Sequence, residues 1–492
     1  MRRSWIEGSR ARGRRAAGAA LERTLRAAAI RCRTDGVERA ASGEDRRYAA
    51  SAELTERASR LISGGTSRVG ARAPAAEGGW AHPLFAASGS GARLTDVDGN
   101  EVIDFNNHST ALVHGHAHPR IVEAITKQAA RGTGSNFSNE HEQRLAELIC
   151  DRVAAFDRIR FCVTGTEAVL MAVRAARALT GRSKIAKFEG AYHGRSDFVD
   201  ISVEPEPEEW GEGDPSPVAQ PGTPRSVTDA VVVLPYNETE RARAILERHA
   251  GELACVLIDP FAPRTGPTVP SPEFLSMLRE YTRGDGSLLV FDEVIAFRLS
   301  HGGAQGLYGV TPDLTCLSKI IGGGLPIGAV AGPADYMEIF DSAHGPALTF
   351  GGTYAANPMS TAAGAAAIEL LTEDEVERIN ALGARARELV REAFAVSGYP
   401  GQVLGVGSLF RPHLSTRPIR GYRSARWSPE ERARVRRLQG HMLNRGVSIW
   451  EHQALCSIST PMGEGELERL AEALTASLRA MIAEGDVPAE EG

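Results

Sequence analysis

Three short stretches of this sequence combine reactive side chains with turns that could present them. Thr164-Gly165-Thr166-Glu167-Ala168 follows an apolar run and opens a helical pattern. Its hydroxyls and its free N–H groups at a helix start suit an anion such as phosphate. The Thr-x-x-Glu spacing reads equally as a capping box. The second stretch is Phe291-Asp292-Glu293-Val294, where an acid ends a buried run. A carboxylate there is costly without a partner, which could be a protonated ring nitrogen, a helix start or a buried cation. The third is Asp313-Leu-Thr-Cys-Leu-Ser-Lys319-Ile-Ile-Gly-Gly-Gly-Leu-Pro326. A lysine between an apolar strand and a glycine-rich turn is expected to be desolvated, which lowers its pKa and favours imine chemistry.

The elements that must position these stretches follow from the hydrophobic pattern. Ser51–Ile62, Pro119–Arg131, Glu140–Val153 and Glu167–Leu179 have helical spacing. The short apolar runs Ile159–Val163, Lys184–Phe188, Ala230–Leu234, Cys255–Ile258 and Leu288–Phe291 read as buried strands. Strands alternating with helices predict an α/β fold with a mostly parallel sheet covered on both faces, which binds ligands at the carboxyl ends of its strands. Ala92–Phe105 reads as a hairpin about Asp98-Gly99-Asn100. Residues 204–224, acidic and rich in Pro and Gly, read as a surface loop. The pieces Gly401–Leu414 and Gly446–Ile458 are strand-like.

These patterns divide the chain into four parts. Residues 1–50 form an Arg/Ala-rich arm without an apolar signal core, read as a flexible basic arm, a solvated helix, an upstream extension or an organelle transit segment. Residues 51–115 begin a small α+β domain, 116–375 form a large domain, and 376–492 complete the small one.

Composition narrows the function classes. Of 492 residues, 42% are hydrophobic and 24% charged, a globular balance with ample core. A net charge of −6 argues against a general nucleic-acid binder, and no apolar run reaches membrane-span length. Six scattered cysteines show no metal-ligand spacing and read as reduced thiols of a cytoplasmic protein, with no metal expected.

Taken together the motifs resemble the class III aminotransferases of the type I pyridoxal-phosphate fold, over most of Ser51–Leu478. The resemblance rests on Asp292 and Lys319, on Gly302-Gly303-Ala-Gln-Gly-Leu-Tyr-Gly-Val-Thr-Pro-Asp313, on Asp96-Val-Asp-Gly-Asn100 and on Gly115-His-Ala-His-Pro119. It extends to Phe188-Glu-Gly-Ala-Tyr-His-Gly194 and Gly351-Gly-Thr-Tyr-Ala-Ala-Asn-Pro358. It implies a large domain with a seven-stranded sheet, a small domain from both chain ends, and pyridoxal 5'-phosphate as cofactor. Lys319 would hold the cofactor aldehyde as an imine and move the substrate proton. Asp292 would keep the pyridine nitrogen protonated. Thr164, Gly165 and Thr166 would hold the phosphate, Tyr192 would stack on the ring beside His193, and Val294 would pack behind it. Thr353 would reach the phosphate of a neighbouring subunit, which implies a homodimer with active sites at the interface.

Within the class, Ser63-Gly-Gly and Gly302-Gly-Ala-Gln are similar to glutamate-1-semialdehyde aminomutase. The loop Ala296-Phe297-Arg298 is one residue shorter than that pattern, and Asp259-Pro-Phe-Ala-Pro-Arg264 departs from it. The short loop, Arg68 after Gly64-Gly65-Thr66-Ser67, and Val406-Gly-Ser-Leu-Phe-Arg-Pro-His413 resemble β-amino-acid aminotransferases, including those acting on β-phenylalanine. There Arg68 would bind the substrate carboxylate bidentately, with Arg264 and Arg298 as alternative anchors. A second arginine that some of those enzymes carry has no match; Gln453 falls near it. The expected reaction is ping-pong transfer of an amino group from a carboxylate-bearing amine to a 2-oxo acid. The alternatives are an intramolecular aminomutase or a racemase or epimerase on the same fold. A degenerate binding protein is the non-enzyme alternative; it would be expected to have lost Lys319 or Asp292, and both are present.

Overall fold

The computed structural model describes residues 48–67, 85–210, 213–344, 347–449 and 455–488. Residues 1–47 of the basic arm, Arg68 and Gln453 therefore lie outside the described residues, while Ala49 and Ala50 open the first described helix.

Among the described residues, fourteen strands form three sheets. In chain order β1 is Ala86–Ser90, β2 Arg93–Asp96, β3 Glu101–Asp104, β4 Arg158–Cys162 and β5 Lys184–Phe188. Then come β6 Val231–Leu234, β7 Leu253–Ile258, β8 Leu288–Asp292, β9 Leu314–Ser318 and β10 Gly328–Gly332. The last are β11 Gln402–Val406, β12 Leu409–His413, β13 Val447–Ser448 and β14 Cys456–Ser457. The central sheet has seven strands in the order β4-β10-β9-β8-β7-β5-β6. From β9 to β6 every pair is parallel, while β10 runs antiparallel to both its neighbours.

The strands β6 to β10 are buried along their whole length, which is why β6, β7 and β8 read as continuously apolar. In β7, Cys255 and Leu257 pack with the helix Gly165–Thr180, while Val256 and Ile258 face the core under the helix Pro272–Asp285. In β8, Val290 joins the first set and Leu289 and Phe291 the second. The period-two alternation then puts Asp292 on the Val290 face, toward the helix that opens at Gly165.

The Asp-Gly hairpin forms as expected, with β2 antiparallel to β3. Its Asp98 reaches outward as well: the carboxylate accepts from the N–H groups of Ala50 (2.6 Å) and Ser51 (3.0 Å), at the start of the helix Ala49–Leu61. A parallel pairing of β3 with β13 ties this hairpin to a strand more than 300 residues downstream, and β11, β12 and β14 form a separate sheet. The strand β10 escapes sequence reading because Gly-Ala-Val-Ala-Gly has low strand propensity. A side chain at Gly328 would come 2.1 Å from the Thr164 carbonyl oxygen, so the small residue lets β10 pass beneath that turn. No helix among the described residues is long and apolar enough to cross a membrane.

Candidate active site

The three reactive stretches converge at the carboxyl edge of the central sheet. Asp292 ends β8 and pairs in register with Cys316 of β9, three residues before Lys319. A side chain on Gly165 would approach Val294 Cγ2 at 3.1 Å and Ser318 Cβ at 3.3 Å. The helix opening at Gly165, the residue after Glu293 and the residue before Lys319 thus share one packed corner.

Lys319 adopts a left-handed backbone, φ 50°. A lysine seldom does so, and such backbone strain concentrates at functional sites. The glycines behind it have a packing reason: a side chain on Gly323 would meet the Ala363 carbonyl oxygen at 2.5 Å. Burial lowers the Lys319 pKa below the usual lysine value, against the pull of Asp292 and Asp259. The amine is thereby drawn toward the neutral, nucleophilic form.

Asp292 is buried and anchored at both oxygens. Oδ1 accepts the Val294 N–H at 3.1 Å, and Oδ2 lies 2.7 Å from His193 Nδ1. Burial lowers the His193 pKa, opposed by its bond to Asp292, so a neutral ring donating through Nδ1 fits. That leaves His193 Nε2 buried with no partner. Asp259, one step beyond β7, is held well above the usual carboxylate range by burial and by the nearby charge of Asp292. Asp259 is thereby drawn toward its protonated form.

At the phosphate candidate, both readings of Thr-x-x-Glu meet in one turn. Thr164 Oγ1 accepts the Glu167 N–H at 3.2 Å, so that hydroxyl serves as a helix cap. The Glu167 carboxylate accepts the Val163 N–H at 2.7 Å. The first N–H groups of the helix, at Gly165 and Thr166, have no partner within it, an arrangement that could meet an anion. Gly194 belongs here too, since a side chain on it would come 2.5 Å from Thr166 Oγ1.

Tyr192 is 38% exposed, with the guanidiniums of Arg264 and Arg195 5.0 and 5.2 Å from its ring centre. Arg264 also pairs with Glu204, and burial lowers its pKa to about 10. Thr353 lies exposed at the start of the turn at residues 353–356.

Arg298 is placed otherwise than expected. It is 0% exposed, and its donors go to Ser408 Oγ (3.0 Å), the Thr110 carbonyl (3.2 Å) and the Ile458 carbonyl. Thr110 ends a run of four left-handed residues, 107–110, that this guanidinium braces. Each of its three nitrogens is engaged by the fold, so Arg298 is placed as a bracing arginine and not as an exposed carboxylate anchor.

Two groups here carry no motif signal of their own. Glu293 is buried beside Asp292, accepts from Ala304 N, Gln305 N and Gln305 Nε2, and burial raises its pKa to about 7. Lys187 is fully buried, with Nζ donating to the Ala191 carbonyl (3.0 Å) and the Ile201 carbonyl, so it pins the turn that carries Tyr192 and His193. Burial pushes its pKa down to about 7, with Asp200 and Glu189 pulling it up and Arg264 pushing it down. Between pH 7 and about 10.5 the unfolded chain then binds more protons than the folded one, so stability rises with pH, by at most about 1.4 kcal/mol per unit. Lys187→Met is expected to lose this rise. Denaturant midpoints of wild type and variant at pH 7, 8 and 9 should diverge; parallel profiles would show that Lys187 keeps an ordinary pKa.

The sequence and the fold match known proteins. The class III aminotransferase profile covers residues 75–454, and the chain belongs to that family. A glutamate-1-semialdehyde 2,1-aminomutase of Methanothermobacter thermautotrophicus is 37% identical over 85% of this chain and 95% of its own. An ω-transaminase of Sphaerobacter thermophilus has a solved structure with a TM-score of 0.83 at 45% identity, covering 87% of this chain and 97% of its own. A β-phenylalanine aminotransferase of Variovorax paradoxus has a TM-score of 0.78 at 34% identity, covering 88% and 94%. The fold is that of the type I pyridoxal-phosphate transferases, and the cofactor is pyridoxal 5'-phosphate. The residues present fit it: a buried acid for the ring nitrogen, an orphaned buried imidazole nitrogen, a lysine of lowered pKa, and a glycine-lined helix start.

Proposed function

We propose that this aminotransferase moves the amino group of a carboxylate-bearing amine, a β-amino acid in the first instance, to a 2-oxo acid in a ping-pong cycle. Bound pyridoxal phosphate supplies the carbonyl that takes up the amino group and the ring that accepts the electron pair released at the substrate carbon. Lys319 holds the cofactor and moves the proton at that carbon through Nζ. Asp292, oriented by His193, holds the proton on the ring nitrogen, while Gly165 and Thr166 receive the phosphate and Thr164 caps the helix. Val294 would pack behind the ring, and Tyr192 would stack on it.

The observation that carries the choice of substrate class is Arg264. Its guanidinium sits beside Tyr192 at the carboxyl edge of the sheet and already donates through Nη1 to a carboxylate oxygen of Glu204. A substrate carboxylate would take the place of Glu204, and Arg68 remains a second anchor. Likeness to the ω-transaminase and the β-phenylalanine aminotransferase supports the same reading.

Residues 116–375 form the large cofactor domain in this reading, with 51–115 and 376–492 making the small one. The working unit is a cytoplasmic homodimer in which Thr353 of each subunit reaches the other's phosphate. Supporting this, Phe137 is 87% and Tyr354 67% exposed on one patch, where Asn357 Nδ2 donates to the Thr133 carbonyl at 2.9 Å and Asn139 Nδ2 to the Ala356 carbonyl at 3.1 Å. Large apolar residues gathered so openly mark an interaction surface.

The likeness to the Methanothermobacter aminomutase favours a second reading, intramolecular amino transfer on a semialdehyde. A spectroscopic half-reaction decides between them. Holoenzyme mixed with α-, β- and ω-amino acids and no oxo acid should lose its visible absorbance with a β-amino acid and regain it on adding a 2-oxo acid. Isomerisation of glutamate 1-semialdehyde, with no bleaching by any amino acid, would replace the transferase reading by the mutase one.

A further inference from the structure

Two turns at the candidate site are built around glycines whose missing side chains make room for one distant segment, residues 417–427. A side chain on Gly190 would lie 2.1 Å from Tyr422 Cδ2, and one on Gly266 would lie 2.5 Å from Ile419 Cγ2 and 2.9 Å from Ala425 Cβ. Both glycines have positive φ, 76° and 94°. Gly190 lies two residues before Tyr192, and Gly266 two residues after Arg264.

Polar contacts fix the same docking. Arg423 binds Glu189 through both carboxylate oxygens, at 2.8 and 3.0 Å, and donates to the Trp210 carbonyl at 3.0 Å. Tyr422 Oη donates to the Pro205 carbonyl at 3.1 Å, and Arg426 pairs with Glu206, two residues from the Glu204 that holds Arg264. On the other turn, Arg411 of β12 donates to the Pro263 carbonyl at 3.2 Å, its guanidinium 4.0 Å from the Trp427 ring centre. Arg417 staples the segment to itself through the Ser424 and Arg426 carbonyls and Glu431. The segment is therefore a rigid bracket that touches the Tyr192 turn and the Arg264 turn at once.

We propose that residues 417–427 are a clamp, with Tyr422 and Arg423 as positioning residues that set Tyr192 over the cofactor and Arg264 toward the substrate carboxylate. The Arg264 half rests on the substrate reading given above; the Tyr192 half rests only on the family's cofactor and on the turn's placement. A planar fork on a carboxylate fixes orientation as well as distance, which a lysine cannot reproduce. A misplacement on the order of 1 Å at a positioned group can cost two orders of magnitude in rate, so losing this fork has leverage.

The test uses the full-length holoenzyme with Arg423→Met, Arg423→Lys and Arg264→Ala. Three quantities are read: the Kd of pyridoxal phosphate for the apoenzyme, the visible circular dichroism of the bound cofactor, and the Kd of 3-phenylpropionate, a carboxylate without an amine. Arg423→Met should raise both dissociation constants, on the order of tenfold, and weaken the dichroic band; Arg423→Lys should fall between it and wild type. If both Arg423 variants stay within twofold of wild type in all three, the clamp is refuted, even if melting temperature drops. Should Arg423→Met fail to fold, Arg423→Lys alone decides on the same criteria. If Arg264→Ala leaves the 3-phenylpropionate Kd unchanged while Arg423→Met alters the cofactor signal, the clamp on Tyr192 stands and the Arg264 anchor fails.

Discussion

Lys319→Ala is expected to abolish turnover, by at least about 10⁴-fold, while the protein stays folded. Positioned proton transfer accounts for roughly 10²–10⁴-fold, and loss of the covalent hold on the cofactor adds to it. Folding should not suffer, because the side chain removed carries a cation that burial already disfavours. The variant is also relieved of an amine next to the strained φ of 50°, although the backbone strain remains. The measurement pairs steady-state activity with thermal melting and the visible spectrum of the loaded protein. Turnover within tenfold of wild type would remove Lys319 from the chemistry, whatever the spectrum shows.

Much of this site is legible in sequence because the signals are local. Continuous apolar runs mark strands buried on both faces, and Asp292 and Lys319 stand where those runs stop. The Thr164 cap and the Asp98 turn follow from short-range hydrogen bonding. What escapes is decided by partners far along the chain. Arg298 follows the Asp292 strand at a tempting distance, yet its acceptors, Thr110, Ser408 and Ile458, come from three remote segments that no local pattern announces. Lys187 sits in a run read as a buried strand, but nothing local shows that the carbonyls of Ala191 and Ile201 close over its amine. The strand β10, all glycine, alanine and valine, forms because the sheet needs a thin strand under the Thr164 turn. Gly190 and Gly266 read as ordinary turn glycines, and only the docking of residues 417–427 shows why a side chain is excluded there.

The second large effect is expected at Asp292, and two substitutions separate its charge from its shape. Asp292→Asn keeps one oxygen, which can still accept the His193 Nδ1–H where Oδ2 now sits at 2.7 Å, but it turns an NH2 group toward the Val294 N–H that Oδ1 accepts at 3.1 Å and loses the negative charge. Asp292→Ala loses both and leaves His193 with two unpaired nitrogens, since Nε2 already has none. If charge at the ring nitrogen is what matters, both variants should fall by about 10²–10⁴-fold in kcat/KM, the range for removing one preorganised electrostatic group. The alanine variant should bind pyridoxal phosphate more weakly than the asparagine variant, because only it loses the brace on His193. The neighbours report the same change independently of turnover. The charge of Asp292 raises the pKa of Asp259 and of Lys319, so removing it should lower both. In the apoenzyme, the pH at which Lys319 becomes reactive toward an amine-selective reagent, followed by mass spectrometry, should therefore move down in Asp292→Asn. A full rate in Asp292→Asn would mean that hydrogen-bond geometry suffices and that the charge plays no part at the ring nitrogen. An unchanged Lys319 profile would separate the two groups electrostatically and undo the coupled picture of this corner.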